Sequence, residues 1–293
     1  MNEQANEQSR WRIDLAREVA SYYGHSDIRM IVLGGSPSRN LSDAYSDLDI
    51  VMYWHTIDAD YVQNQPLKQA GVERYHLMGG PENGMCLETY YIDSLKVDVE
   101  HMTLNQWDQW MADVLEKHDP TPWKLQSMGG FSAAVVLRGR GHYEQRQRKL
   151  RRYPSELAKR VIKQNMRFFV KDCLLNQGYR RGEMLFFYDG MCAMFKKLLM
   201  ILGALNRMYL SMDEPRWIEH FLTQMKIKPD RCWQRIKTAL DMGDEKSLAI
   251  LDDLMEDVMA LVKEHMPDVD TSVLQRIKDM AVRPCYNNPV NRL

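Results

Sequence analysis

Residues 30–53 read MIVLGGSPSRNLSDAYSDLDIVMY, in which two short apolar runs flank a polar segment. The first run ends in GGS at 34–36, and the second begins within DLD at 47–49. Short apolar runs bounded by glycine and polar turn residues are typical of β-strands. We therefore predict one strand over 30–33, a turn or short helix after it, and a second strand over 47–53.

The two aspartates at the start of the second strand are expected to face the same side. Side chains two positions apart on a strand share a face, so Asp47 and Asp49 project together while Leu48 turns toward the core. Neighbouring carboxylates repel each other unless a cation neutralises them, and Mg²⁺ binds carboxylate and phosphate oxygens. An isolated pair of this kind is usually plain surface. Here, however, Gly35 and Ser36 offer backbone N–H groups and a hydroxyl for a triphosphate.

A third acid follows on a strand that we predict over 86–102, where apolar and polar residues alternate near its end. If this strand neighbours the second, Asp98 joins the aspartate pair, either as a metal ligand or as the base for an attacking hydroxyl. Glu100 faces the same way and competes with Asp98 for the role of base. Lys96 also shares this face, and it either lies in the site or only pairs with Asp98.

The segment GGSPSRNLSDAYSDLDIVMYW at 34–54, followed by KVDVE at 96–100, resembles the nucleotidyltransferase superfamily with its DNA polymerase β-like fold. The signature of that superfamily is G-S, a spacer, D-h-D and a third acid on a later strand. The order of domains is similar to that of the aminoglycoside and lincosamide nucleotidyltransferases. The resemblance implies an α+β fold, in which a small mixed sheet flanked by helices precedes an all-helical C-terminal domain.

The resemblance also implies a reaction, the Mg²⁺-dependent transfer of AMP from ATP to a hydroxyl of a small molecule. The acceptor would be an antibiotic of the aminoglycoside or lincosamide type, and the protein would act in antibiotic resistance. Asp47, Asp49 and Asp98 are then the catalytic acids and the ligands of two Mg²⁺ ions. Gly35 and Ser36 are the residues that hold the triphosphate.

Two basic residues are further candidates for binding the nucleotide. Arg39, in the segment that follows the glycine turn, either contacts a phosphate or is a solvated loop arginine. Lys196, in the helical half of the chain, is a candidate to reach the triphosphate from the second domain.

The spacing of apolar residues changes near Tyr153 from the period of strands to the period of helices. We therefore predict a nucleotidyltransferase catalytic domain over 1–150 and a helical substrate-binding domain over 151–293. The last helix is expected over 270–281, and the tail from 283 is expected to be irregular.

Net charge and cysteine content constrain the partners and the compartment. The chain of 293 residues has a formal net charge of −1, so its overall charge does not favour nucleic acid or a membrane surface. Its five cysteines form no C-x-x-C pair, which favours a reducing compartment over a disulfide framework or a zinc ribbon. With no signal peptide and no apolar run of membrane-spanning length, we expect a cytoplasmic protein that is a monomer or a homodimer.

Uneven local charge leaves other functions open. Residues 138–181 hold fourteen Lys or Arg against three acids, which indicates a solvated face, part of the triphosphate site or an RNA contact. Residues 241–270 are acidic, which indicates a solvated amphipathic helix or a site for a polycationic acceptor. The alternatives to a small acceptor are therefore RNA or protein, as in toxin-like members of the superfamily, and a nucleotide-binding regulatory module without turnover.

Overall fold

A computed structural model gives the fold and describes residues 6–64, 66–69, 71–168, 171–272, 275, 276 and 279. Within these residues the chain is α+β, because a mixed sheet with flanking helices is followed by a helical region. The predicted fold class is therefore confirmed. The predicted tail from 283 and part of the predicted helix 270–281 lie outside the described residues.

The chain divides into two compact units. The first contains the described residues of 1–117 and 126–152, and the second contains those of 118–125 and 153–293. The first unit holds the sheet, and the second is helical. Among the described residues, no helix combines the length and the apolar character that crossing a membrane requires.

Six strands form the sheet within the described residues, and one neighbouring pair is parallel. In chain order they are β1 (Ile28–Leu33), β2 (Leu48–Trp54), β3 (Glu73–Gly80), β4 (Met85–Ile92), β5 (Leu95–Thr103) and β6 (Val135–Arg138). Their order across the sheet is β3-β4-β5-β2-β1-β6, and only β2 and β5 run parallel to each other. The β2–β5 pair brings together residues that are distant in the sequence.

The helices of the described residues have the following bounds in chain order. In and near the first unit they are α1 (Glu7–Tyr22), α2 (Ala59–Gln63), α3 (Pro66–Gln69), α4 (Leu104–Leu115), α5 (Pro122–Ala133) and α6 (Arg140–Leu150). In the second unit they are α7 (Ser155–Asn165), α8 (Lys171–Cys173), α9 (Met184–Leu205), α10 (Ile218–Gln224), α11 (Cys232–Met242) and α12 (Ser247–His265). Asn6 caps α1 by accepting a hydrogen bond from the N–H of Gln8.

The alternation of side chains along β2 and β5 decides which residues enter the core. Leu48 and Ile50 of β2 are buried together with Val99 of β5, in a cluster that also contains apolar residues of α1. Full burial of such a side chain contributes about 1.5–3 kcal/mol. Because neighbours along a strand point to opposite faces, Asp49 and Asp98 are held on the other face of the sheet.

A buried polar cluster lies in the same core. Glu88 of β4 is fully buried and accepts hydrogen bonds from the hydroxyls of Tyr23, at 2.8 Å, and Tyr75, at 2.7 Å. His101 places Nε2 at 2.8 Å from Glu88, and its Nδ1 lies 3.1 Å from the indole N–H of Trp54. A tryptophan N–H can only donate, so His101 carries its ring proton on Nε2 and donates it to Glu88. The buried carboxylate therefore has three donors, which offset its desolvation.

The single strand predicted over 86–102 is wrong, because two antiparallel strands, β4 and β5, occupy this segment. They are joined at Asp93 and Ser94, which both have left-handed backbone conformations with φ of 45° and 70°. Two such residues in succession make the tight turn that matches the twist of a two-residue hairpin. Asp-Ser is not a strong hairpin signature, so the sequence reads as one continuous strand.

In the second unit, α9 packs with α7 and α12. Toward its C-terminal end it is buried on most of its circumference, because the consecutive residues Leu198, Leu199, Met200 and Ile201 are all buried. On α12, Leu251 and Val258 are buried at helical spacing while the acids between them face outward. The apolar residues of these helices therefore form a core of their own.

Candidate functional site

Three carboxylates meet at the β2–β5 pair. Asp49 of β2 and Asp98 of β5 are direct partners in the parallel ladder, and Asp47 lies immediately before β2. One carboxylate oxygen from each residue lies within 4.8 Å of the other two, and all three side chains are half-buried. The expected convergence of the three acids is therefore present in the structure.

Arg12 on α1 holds the backbone that leads into this acidic triad. Its guanidinium donates two hydrogen bonds to the carbonyl of Ser46, at 3.0 and 2.8 Å, and two more to Gln8. Burial lowers the pKa of Arg12, while the charges of Asp43 and Asp47 act in the opposite direction. Because Ser46 directly precedes Asp47, this anchor fixes the position of the first carboxylate.

The loop over 40–46 is tied to the start of α1 by further hydrogen bonds. The backbone N–H of Asn6 donates to Oδ1 of Asn40 at 2.6 Å, and its side-chain amide donates to the carbonyl of Ser42. The N–H of Ser42 donates in turn to the hydroxyl of Ser9 at 3.1 Å. The loop is therefore held at several points before the chain enters β2.

Glycine shapes the turn that follows β1. Gly35 has a left-handed backbone conformation with φ of 62°, and a Cβ at this position would overlap Oδ2 of Asp49. The N–H of Gly34 donates to the carbonyl of Asp49 at 2.7 Å. Glycine thus permits both the turn and the close approach of the backbone to the acids, which a phosphate-binding turn needs.

Ser36 is buried and directly precedes a short 3₁₀ turn, Pro37–Arg39. The hydroxyls of Ser36 and Ser42 are hydrogen-bonded to each other at 3.2 Å. The carbonyl of Ser36 accepts a hydrogen bond from the N–H of Leu41 at 3.0 Å. Ser36 therefore braces the loop, and its contact with a triphosphate stays a prediction.

Thr89 and Lys96 both bind Asp98. Thr89 donates from Oγ1 to Oδ1 at 2.7 Å, and Lys96 donates from Nζ to Oδ2 at 2.6 Å. The hydrogen bond to Asp98 raises the pKa of Lys96, and the charges of Asp47 and Asp49 add to that rise. Lys96 therefore pairs with Asp98 and also lies close enough to the other two acids to interact with their charges.

Glu100, the competitor for the role of base, lies on the same face of β5 and is half-buried. Burial raises the pKa of its carboxyl, and the charge of Asp49 raises it further. Glu100 is not one of the three acids whose oxygens meet within 4.8 Å. Among the described acids, Asp98 is thus the residue of β5 that joins the pair on the β2 side.

The structure gives the two basic candidates different positions. Arg39 is half-buried in the first unit and donates from Nη2 to the carbonyl of Gly129 at 3.2 Å, and burial lowers its pKa. Lys196 belongs to the second unit, on α9, where its Nζ lies 3.5 Å from the carbonyl of Asp213. The nucleotide-binding roles of both residues stay predictions.

The two charged segments also differ in their surroundings. The exposed basic residues at the end of α6 and just after it are Arg148, Lys149, Arg151 and Arg152. On α12, Asp252 pairs with Lys171 at 3.2 Å and Asp257 pairs with Arg235 at 2.6 Å. The helix α12, which covers most of the acidic segment 241–270, is thus amphipathic, and its outer face is partly neutralised.

Arg12 and Thr89 are parts of the site that the sequence analysis missed. Arg12 lies four positions before Ala16 in the stripe by which α1 enters the core. A charged residue in such a stripe needs a buried partner, and this signal indicates a structural role. Thr89 carries no comparable signal, because its contact with Asp98 depends on the hairpin.

Comparisons with known proteins find similarity among solved structures. No protein-family model matches the sequence, and no curated protein matches it. The chain is similar to the solved structure of a nucleotidyltransferase-like protein from Exiguobacterium sibiricum 255-15, at 11% identity and a TM-score of 0.28, over 89% of this chain and 80% of that chain. A TM-score this low supports no inference about fold or activity, so the functional argument depends on the side chains of the site.

Proposed function

We propose that this protein is a Mg²⁺-dependent nucleotidyltransferase that transfers AMP from ATP to a hydroxyl of a small molecule. The observation that supports this function is the meeting of Asp47, Asp49 and Asp98 beside the glycine turn at Gly35. Carboxylates alone are common on protein surfaces. Here they are half-buried, they come from β5, from β2 and from the residue just before β2, and they lie beside the glycine turn at Gly35.

The donor set fits magnesium. All three residues offer carboxylate oxygens, which are the ligands preferred by a hard dication that also binds phosphate. When bound, Mg²⁺ neutralises the triphosphate and polarises the phosphoryl group that is transferred. Asp47 and Asp49 are the residues that would hold it, and Asp98 lies within reach of the same point.

The residues of the chain have distinct tasks in this reaction. The turn at Gly35 and Ser36 binds the phosphates, and the anchor from Arg12 to Ser46 keeps the first carboxylate in place. The acceptor hydroxyl gives its proton to Asp98 while its oxygen bonds to the α-phosphorus of ATP. The bond from that phosphorus to the β-phosphate oxygen breaks, and pyrophosphate leaves.

Support for the small acceptor and for ATP comes from the resemblance to aminoglycoside and lincosamide nucleotidyltransferases. The exposed cations at the end of α6 favour RNA as the second candidate acceptor. Both classes therefore belong in the same screen.

The test is transfer of label from α-³²P-ATP with Mg²⁺ to a panel of aminoglycosides, lincosamides and small RNAs. We expect Asp47→Asn to reduce transfer by at least about 100-fold, because it removes a charged ligand. Asp14→Asn is the matched control, since Asp14 is exposed on α1 and is not one of the three acids that meet. Undiminished transfer by Asp47→Asn would reject the site. Binding of ATP without release of pyrophosphate across the whole panel would favour a regulatory module.

A further inference from the structure

Lys96 places an ammonium group within a site that is otherwise acidic. Its Nζ is 2.6 Å from Oδ2 of Asp98, and the lysine and aspartate side chains are 40% and 19% exposed. Both side chains are on the same face of β5, because they are two positions apart. The contact is therefore fixed by the strand that carries both residues.

Both oxygens of Asp98 already have a donor. Oδ1 accepts a hydrogen bond from Thr89, and Oδ2 accepts one from Lys96. The other two acids of the site are Asp49, on the partner strand β2, and Asp47, just before that strand. A carboxylate that binds an ammonium is neutralised as it would be by a metal ion. The positive charge that neutralises Asp98 is thus supplied by Lys96 of the same chain.

A lysine at this distance excludes a metal ion from the same oxygen. Mg²⁺ binds carboxylate oxygens at about 2.1 Å, so an ion on Oδ2 of Asp98 would lie within about 5 Å of Nζ of Lys96. At that separation the repulsion between a dication and an ammonium group in a half-buried site is strong. Lys96 and an ion on Asp98 are therefore alternatives.

We propose that the ammonium group of Lys96 takes the place of one cation, so that this site binds a single divalent ion on Asp47 and Asp49. Lys96 is then a positioning residue that holds Asp98 beside the ion without a second metal. This inference rests on the proposed metal-dependent transfer, and it replaces the two ions implied by the superfamily resemblance. Removal of the lysine charge opens the position on Asp98 to a second ion.

The experiment counts Mn²⁺ ions bound per chain by electron paramagnetic resonance, with and without an ATP analogue that carries a methylene bridge between the α- and β-phosphates. At the same free Mn²⁺ concentration we expect one ion in the wild type and two in Lys96→Met. Lys96→Arg keeps a cation and is expected to hold one ion. Lys117→Met is the matched control, because Lys117 also pairs with an aspartate, Asp113, at 2.8 Å.

The outcomes separate this inference from the proposed function. Two ions in the wild type, or one ion in Lys96→Met, would overturn the role of Lys96 and leave the metal site intact. No ion in the wild type would overturn both. Loss of the ion in Asp47→Asn, together with a second ion in Lys96→Met, supports both. Chemical denaturation of each variant shows whether it is folded, and we expect Lys96→Met to be folded because Lys96 is 40% exposed.

Discussion

The carboxylate of Asp49 occupies the space into which a side chain at position 35 would project. Gly35 lies in the turn after β1, and Asp49 lies on the neighbouring strand β2. The backbone carbonyl of Asp49 accepts a hydrogen bond from the N–H of Gly34. The glycine turn and the second acid are therefore one packed unit, and a change at either residue displaces the other.

We predict that Gly35→Ala weakens Mn²⁺ binding at least about tenfold, because the new methyl group displaces the carboxylate of Asp49. The left-handed backbone adds a loss of about 1–2 kcal/mol in the free energy of unfolding. Titration of Mn²⁺ and urea denaturation measure the two effects.

Gly71→Ala is the control that separates strain from overlap. Gly71 also has a positive φ, of 79°, but a Cβ there meets nothing within 4 Å. We expect this variant to lose stability and to keep its affinity for Mn²⁺. Equal loss of affinity in both glycine variants would show that backbone strain, and not Asp49, is responsible.

The anchor formed by Arg12 gives a second prediction. Arg12→Lys keeps the charge but cannot donate two hydrogen bonds in parallel to the carbonyl of Ser46. We expect this variant to bind Mn²⁺ several-fold more weakly, because the position of Asp47 is less well fixed. Arg10→Lys, at an exposed position of the same helix, is expected to leave the affinity unchanged. An unchanged affinity for Mn²⁺ in Arg12→Lys would mean that the loop is held without the two hydrogen bonds from Arg12 to Ser46.

The buried carboxylate of Glu88 gives a prediction about stability. Glu88→Ala removes the acceptor of three hydrogen bonds, from Tyr23, Tyr75 and His101, and leaves a cavity. We expect the free energy of unfolding to fall by about 3–5 kcal/mol in urea denaturation. Glu73→Ala, on the exposed start of β3, is expected to change it by less than about 0.5 kcal/mol. A loss of similar size at both positions would contradict the role assigned to the cluster.

The thiols give a prediction about pH. Burial, with a smaller contribution from the charge of Glu88, raises the pKa of Cys86 to about 12. At pH 8 only about one Cys86 in ten thousand is then a thiolate, which is the reactive form, and this fraction rises about tenfold per pH unit. We expect iodoacetamide to modify the exposed Cys192 at least about 100 times faster, as measured by peptide mass spectrometry. In urea the two rates should converge, and equal rates in the folded protein would contradict the burial of Cys86.

The central strands and the acids of the site could be predicted from the sequence because they follow local rules. Leu48 and Ile50 alternate with Asp49, so the period of the strand assigns each side chain to a face before any contact is known. The meeting with Asp98 follows once β2 and β5 are neighbours.

Other features depend on contacts between distant parts of the chain and could not be predicted in this way. The hairpin turn at Asp93 and Ser94 uses two successive left-handed conformations, which residues other than glycine adopt uncommonly. The bond from Arg12 to Ser46 joins residues of α1 to a loop that precedes β2, and no sequence period links them. The donors of the network at Glu88 come from three strands and a helix terminus. Only the folded structure therefore shows that the buried carboxylate is hydrogen-bonded.

The parallel pairing of β2 with β5 has a consequence for the time at which the acidic site is complete during synthesis. Asp49 and Asp98 are partners although their positions differ by 49, so a long loop must close before the carboxylates meet. On the ribosome, a nascent chain that ends before β5 lacks the third acid and its lysine. The complete acidic site therefore forms only after the middle of the sheet has been completed.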